Sequence, residues 1–464
     1  MSISAALSIA ASGLRANQVQ SNLIASNVAN AQTEGYTRKS AELITRNGAV
    51  EVSDITRAVD PLLDRLDRAN SSERARAETV AQGLASYTGY LGQPTDAISP
   101  SARLSELYTS LVTLSGSPGT SAAQLGVVES ARALAANLNG LSTTLSELAQ
   151  EVEMNIRYDV ADANDALTRL GQINTRLGQT GGGGLEGADL LDEQSRLLDR
   201  LAGFMDIQTA SGSDGSVNVY TASGTELLIG RKTQTISYDA TQGKLTAGQA
   251  DITPGRDGAR GIGGGSLAGL FELRDRSIPT MREQLDGYAD LLITRFSAAD
   301  GSLTGNEQGL FVDTDPRFGT TDLARRITVN PDIDPDKGGT ISRLITGAGS
   351  GQMLASGDIS LIQGMMGKID ERAAGPTPMG EGQSLSSYVS SMVAAQQQQR
   401  VSAETAAAQA EVSGATIAAS RQNLQGVNID DELQVLMVVE QSYAANTRVL
   451  TSLQSMLDDL MNAV

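Results

Sequence analysis

In residues 428–464, Leu436, Tyr443, Leu450, Leu457 and Val464 recur every seven positions, and Val439, Leu453 and Leu460 fill most of the places three residues later. Such a repeat commits the segment to an α-helix that buries one narrow seam against another helix. Asn446 interrupts the seam with a polar group, which lowers stability and can fix register. Asn428 is placed to cap this helix. Asp430, Asp431 and Glu432 put negative charge into its first turn, where the helix dipole favours it.

At the other end, Ile3, Leu7, Ala10, Leu14, Asn17, Ser21, Ile24 and Val28 form a weaker heptad. The two terminal helices are thus matched to pair as a coiled coil. Ile9, Ala16, Val19 and Leu23 make a second apolar line off that seam, which one partner helix cannot cover. Its cover is either a middle helix of a three- or four-helix core or other copies of the chain. Periodicity leaves both open.

Between the ends the pattern is mostly helical. Asp60 and Pro61 open a helix with the stripe Leu66, Val80, Leu84, Tyr87 and Leu91, and a shorter one carries Leu104, Leu107, Tyr108 and Leu111. Over 121–177, apolar residues from Leu141 through Val152 and Ile156 to Leu177 keep helical spacing, with a stutter of successive steps of four. One helix of that length would extend about 85 Å. Gly126, Gly140 and Gly171 argue against a single unbroken helix. Residues 181–184, all Gly, break the pattern before a helix to about Gly203.

Residues 205–262 then read as short strands, at 217–220, 226–229 and 234–238, between Gly and Asp turns. Helix returns over 266–296, with Pro279 as a kink or restart. Residues 300–352 read as loops and strands, 359–369 as a short helix and 384–424 as a long Ala- and Gln-rich one. The fold class expected is mainly α with a β insertion. Its domains nest: 1–34 with 428–464 as a terminal coiled coil, 35–204 with 264–300 and 353–427 as a helical bundle, and 205–263 with 301–352 as a β-rich insertion.

Composition narrows the function. A net charge of -19 argues against nucleic acid or an anionic membrane as the main partner, since both call for clustered Lys and Arg. No stretch is apolar enough to span a bilayer, and no positive region precedes 3–11, which argues against a cleaved secretory signal. The absence of Cys and His removes thiol nucleophiles, Ser-His-Asp triads, imidazole bases and metal sites built on N or S ligands. An aromatic content of 3% with no Trp points to packing through many small helix contacts.

Two stretches imitate ligand sites. Gly263, Gly265 and Ala268 fit a dinucleotide fingerprint, yet no buried strand precedes them, and a loop leaving the β region is the stronger reading. Asp332, Asp334 and Asp336 have calcium-loop spacing, but Lys337 and Arg343 stand where Gly and a bidentate Glu belong. No catalytic residue, cofactor or metal is therefore expected.

Residues 25–38 read ASNVANAQTEGYTR. Ser26, Asn27, Val28, Ala29, Asn30 and Ala31, followed by Thr33, Gly35 and Tyr36, resemble the N-terminal signature of the bacterial flagellar axial proteins, the rod, hook and hook-filament junction subunits. The family's doubled Asn is missing here. Three further stretches resemble the junction branch: 188–194, 267–279, and 426–432 (GVNIDDE) with the following Gln441 and Tyr443.

The resemblance implies a structural subunit exported unfolded through a type III route, whose terminal helices fold on assembly at the hook-filament junction. It implies self-association, the hook protein below, a second junction protein and the filament above, and an export chaperone on the C-terminal region. The assembly residues it carries over are Ile3, Leu7, Leu14, Ile24, Val28, Asn30, Gly35 and Tyr36, with Leu436, Val439, Tyr443, Leu450, Leu453, Leu457 and Leu460. A hook or distal rod subunit is the alternative within the class, although a β-dominated middle is expected there. A cytosolic coiled-coil scaffold is the alternative outside it.

Overall fold

The computed structural model describes residues 3–33, 35–181, 183–355, 357–372 and 376–462, apart from the side chains of 376, 377 and 460. Helices in chain order are α1 (Ile3–Ala29), α2 (Pro61–Leu91), α3 (Pro100–Gly116), α4 (Ser121–Thr180), α5 (Gly184–Phe204), α6 (Gly265–Glu272), α7 (Ile278–Ala299), α8 (Leu323–Arg326), α9 (Arg343–Thr346), α10 (Ser360–Asp370), α11 (Leu385–Gln425) and α12 (Ile429–Asn462). The protein is mainly helical, with small antiparallel sheets. Starts follow local chemistry: Asp60 accepts the Leu62 amide ahead of α2, Ser99 caps α3, and Asn428 accepts the Asp430 amide at α12.

Two compact units divide the chain. Residues 1–76, 157–268 and 408–464 form the first, and 77–156 with 269–407 the second. Each boundary falls inside a helix. The division departs from the nested grouping expected of the sequence, because 205–263 lies in the first unit and 301–352 in the second. Both stretches are rich in Gly and Asp, which shows turns but not which core the strands join.

In the first unit a hairpin of β1 (Lys39–Arg46) and β2 (Ala49–Arg57) follows α1, turning at Asn47 and Gly48, both at positive φ. Further along, β3 (Ile207–Ser211), β4 (Val217–Thr221), β5 (Glu226–Ile229) and β6 (Lys232–Thr233) make one meander, and β7 (Ile236–Asp239), β8 (Lys244–Ala247) and β9 (Ala250–Asp251) another. Asparagines of α4 hold their ends. Asn174 donates to the Val217 and Gly230 carbonyls and accepts the Val217 amide, while Asn164 makes the same two-way bond with Ile236. These amides satisfy edge groups that lack a neighbouring strand.

The second unit packs its large side chains together. Tyr288 stacks on Tyr388 with ring centres 6.0 Å apart, and Phe296 meets Phe311 edge-on at 5.2 Å. The buried Tyr87 hydroxyl donates to Gln396, whose amide bonds Gln284. Around Pro279, the segment Leu273–Ser277 widens into a π-helical turn between α6 and α7. The extra residue in that turn relieves a ring that would otherwise strike a carbonyl one turn back, so the helix path restarts without breaking.

Candidate assembly site

Helix α1 lies along α12. On α1 the predicted seam places Ile24 in the interior and Ile3, Leu7, Leu14 and Val28 half-buried. On α12, Val439 is buried, Leu436, Leu450 and Leu453 are half-buried, and Tyr443 and Leu457 are exposed. The Leu460 side chain and Val464 lie outside the described residues. Asn446 sits opposite Gly13, where an added Cβ would come within 2.8 Å of its amide nitrogen. The polar interruption in one helix is thus matched to the smallest residue of the other.

Within the single chain the second apolar line of α1 meets a cover that the periodicity did not suggest. The β1–β2 hairpin packs on it. Ser12 accepts the Val50 amide, and the Ile9 side chain reaches the turn at Gly48. A short alternating segment of 40–59 gave no sign that it would lie against α1. The exposed apolar surface is on α12 instead. Val435, Val438, Ser442, Ala445, Val449, Ser452 and Met456 repeat at steps of three and four, and all are exposed.

Just past α1, the signature stretch forms a buried polar network within the first unit. Asn27, 1% exposed, uses its whole amide. Its nitrogen donates to the Lys39 carbonyl (2.9 Å) and to Glu432 Oε2 (3.1 Å). Its oxygen accepts the Tyr36 hydroxyl (2.9 Å) and the Lys39 amide (3.1 Å). Arg38 donates to Glu432 Oε1 at 2.7 Å. Asn30 closes the helix end locally, donating to the Ser26 carbonyl and accepting Thr33.

Gly35, at φ +72°, passes the Arg196 side chain so closely that a Cβ would sit 2.7 Å from its Cγ. Both the positive φ and this approach require glycine.

The network continues into α5. The Lys39 ammonium contacts Asp189, lies 3.0 Å from Asp192 and stands over the Tyr36 ring. Asp192 also accepts Thr37 at 2.6 Å and Arg57 at 2.7 Å. Burial works against the Lys39 cation, but the hydrogen bonds it donates to Asp189 and Asp192 outweigh it and hold its pKa above the ordinary value. Burial, helped by the nearby Asp192 and Asp189 carboxylates, pushes the Tyr36 hydroxyl up, and burial, helped by Arg196, lowers Arg57 despite the Asp192 carboxylate beside it. Sequence reasoning missed Arg38, Lys39, Arg57, Asp189, Asp192 and Glu432. Glu432 looked like a first-turn charge for the dipole, and nothing local showed that it would be 2% exposed.

The two ligand-like stretches are spoken for. A Cβ on Gly264 would meet Ser72 at 2.3 Å and one on Gly265 the backbone of Phe204 at 2.2 Å, while the Gly263 amide bonds Asp206. Gly264 and Gly265 serve close packing. Asp334 is buried against the Arg132 guanidinium and also accepts the Asp336 amide, and Asp336 pairs with Arg132 as well. Among the described residues no group of three His, Cys, Asp or Glu is arranged to hold a metal.

Compared with known proteins, residues 88–309 match the family described as the flagellar hook-associated protein FlgK helical domain, and residues 7–37 match the flagella basal body rod protein family. The flagellar hook-associated protein 1 of Bacillus subtilis (strain 168) is 25% identical across 99% of this chain and 98% of its own length. That of Salmonella typhimurium (strain LT2) is 24% identical over 64% of this chain and 56% of its own. A solved structure, the flagellar hook junction protein FlgK from Burkholderia pseudomallei, aligns with a TM-score of 0.45 and 18% identity over 54% of this chain and 46% of that one.

The match over 7–37 makes the N-terminal stretch that carries the Asn27 network similar to flagella basal body rod proteins. The match across the helical middle and the near full-length alignment at 25% identity make the chain similar to the flagellar hook-associated protein 1 relatives.

Proposed function

We propose that this chain is a structural subunit of the bacterial flagellum that forms the junction layer between hook and filament. The observation that carries the reading is the state of α12: one face is held by α1, while a second heptad line stands bare in the single chain. A helix with two apolar seams and one partner is built to accept another helix. The similarity to flagellar hook-associated proteins supports a partner along the flagellar axis. Self-association in the layer, the hook below, and a second junction protein and the filament above follow from this reading. So do export as an unfolded chain, with a chaperone on the C-terminal region, and residence outside the cell. No catalytic step belongs to it.

The test uses purified hooks stripped of filament. The protein should bind their distal ends as a thin layer that stops growing, and filament subunits should add only after it, as seen by electron microscopy. Continued elongation by this protein itself would instead make it a hook or rod subunit. No binding to hooks at all would leave a scaffold outside the flagellum.

A further inference from the structure

We propose that Asn27, Arg38 and Glu432 act as a conditional clasp, so that order at one terminus depends on order at the other through a single buried carboxylate. The inference stands on the hydrogen-bond geometry alone and does not require the flagellar reading.

Glu432 lies in the first turn of α12, with its side chain 2% exposed. Both hydrogen bonds to its carboxylate come from 405 and 394 residues away in sequence, from Asn27 and Arg38. A carboxylate withdrawn from water is tolerated only while such donors are in place. The dependence runs the other way too. Three of the four Asn27 bonds stay within residues 27–39, and the fourth needs Glu432. With α12 displaced, the Asn27 N–H loses that acceptor and the Arg38 guanidinium loses its carboxylate partner among the described residues.

Arg38 also spans the turn that aims α12. Its backbone amide bonds the Gln425 carbonyl at the end of α11, and its side chain holds Glu432 beyond the Gly426 linker. A closed clasp therefore sets the direction in which α12 leaves α11. It also passes that state inward, because Asn27 fixes both backbone groups of Lys39, whose ammonium is seated on Asp189 and Asp192. Such coupling between distant segments is reciprocal by linkage.

Amide hydrogen exchange on the full-length chain tests this, with Glu432→Ala, Asn27→Ala and the control Val439→Ala, which removes an apolar contact of α12 outside the clasp. Glu432→Ala should speed exchange of the Lys39 amide and its neighbours by about tenfold or more, the effect of losing charged hydrogen bonds. Asn27→Ala should speed exchange in the first turns of α12 to a similar degree. The control should leave the Lys39 amide near its original rate. Glu432→Gln, which keeps an acceptor for Asn27 but not the charge for Arg38, should fall between.

In urea unfolding, Asn27→Ala combined with Glu432→Ala should destabilise less than the two separate effects combined. Additive effects, with each variant's exchange confined to its own terminus, would overturn the proposal. So would an unmodified chain whose Lys39 amide exchanges freely, because the clasp would then not be closed.

Discussion

At Asn27 a conservative change should be worse than a drastic one. Its nitrogen faces two acceptors, the Lys39 carbonyl and Glu432. Aspartate there would set an anion against both, whereas alanine only removes bonds. Asn27→Asp should cost about 3–5 kcal/mol and Asn27→Ala about 1–3 kcal/mol, read from urea midpoints. Equal losses would show that the amide's orientation is unimportant. A second residue carries a pH signature. Burial pushes the Asp286 carboxyl up to about 6, against backbone hydrogen bonds from Ala324 and Asp322 and the nearby Arg282 that favour the anion.

A folded-state pKa above the unfolded one contributes stability at low pH that is lost as pH rises through about 6. Between pH 7 and 5 this site should therefore stabilise the second unit on acidification, by about 1–1.5 kcal/mol. Asp286→Asn should remove that part of the pH dependence. The Asp286 side chain should titrate near 6 by NMR, and a midpoint near 4 would refute the argument.

Among the elements, helices were the most legible part of the sequence, and α4 shows why. A 60-residue stripe of apolar positions at helical spacing outweighs four glycines, Gly126, Gly140, Gly171 and Gly178, each costing at most about 1 kcal/mol. The glycines differ in what they meet. A Cβ at Gly126 would point into open space, so Gly126→Ala should raise stability by about 0.5–1 kcal/mol. At Gly140 the Cβ would fall 2.4 Å from the Tyr90 hydroxyl, so Gly140→Ala should lower it by about 1–2 kcal/mol. Adding Tyr90→Phe should recover part of the loss. Thermal unfolding of the three variants gives the ranking, and a stabilised Gly140→Ala would remove the steric reason for that glycine.

The strands were less legible. Hairpin 40–59 could be seen to be extended, but its place over Ile9 and Ser12 depends on two sequence-distant surfaces meeting. For the same reason 205–263 and 301–352 could be recognised as turn-rich without showing that they belong to different units. The candidate site divides along the same line. Heptad positions appear from spacing within one helix. The Asn27 network is assembled from three separate stretches, and only the chain's path brings Asp192 and Glu432 to it.

On the scale of the whole molecule, two opposing forces act on assembly. Every copy carries a charge of -19, so copies repel, and the repulsion is long-ranged at low ionic strength. The attraction that the proposed function calls for is short-ranged and would rest on the bare line of α12, where Val438 and Val449 are exposed in the single chain. Val438→Asp and Val449→Asp should then leave the fold nearly untouched, within about 0.5 kcal/mol as for ordinary surface changes. Each should nonetheless abolish assembly, because a buried seam would have to accept an unpaired carboxylate.

Light scattering of the unmodified chain should show assembly quickening between roughly 10 and 150 mM salt, as the screening length falls from about 30 to about 8 Å. If salt instead slows assembly, specific ion pairs and not the apolar line drive the contact. If the two aspartate variants assemble normally, the partner helix docks on some other face of α12.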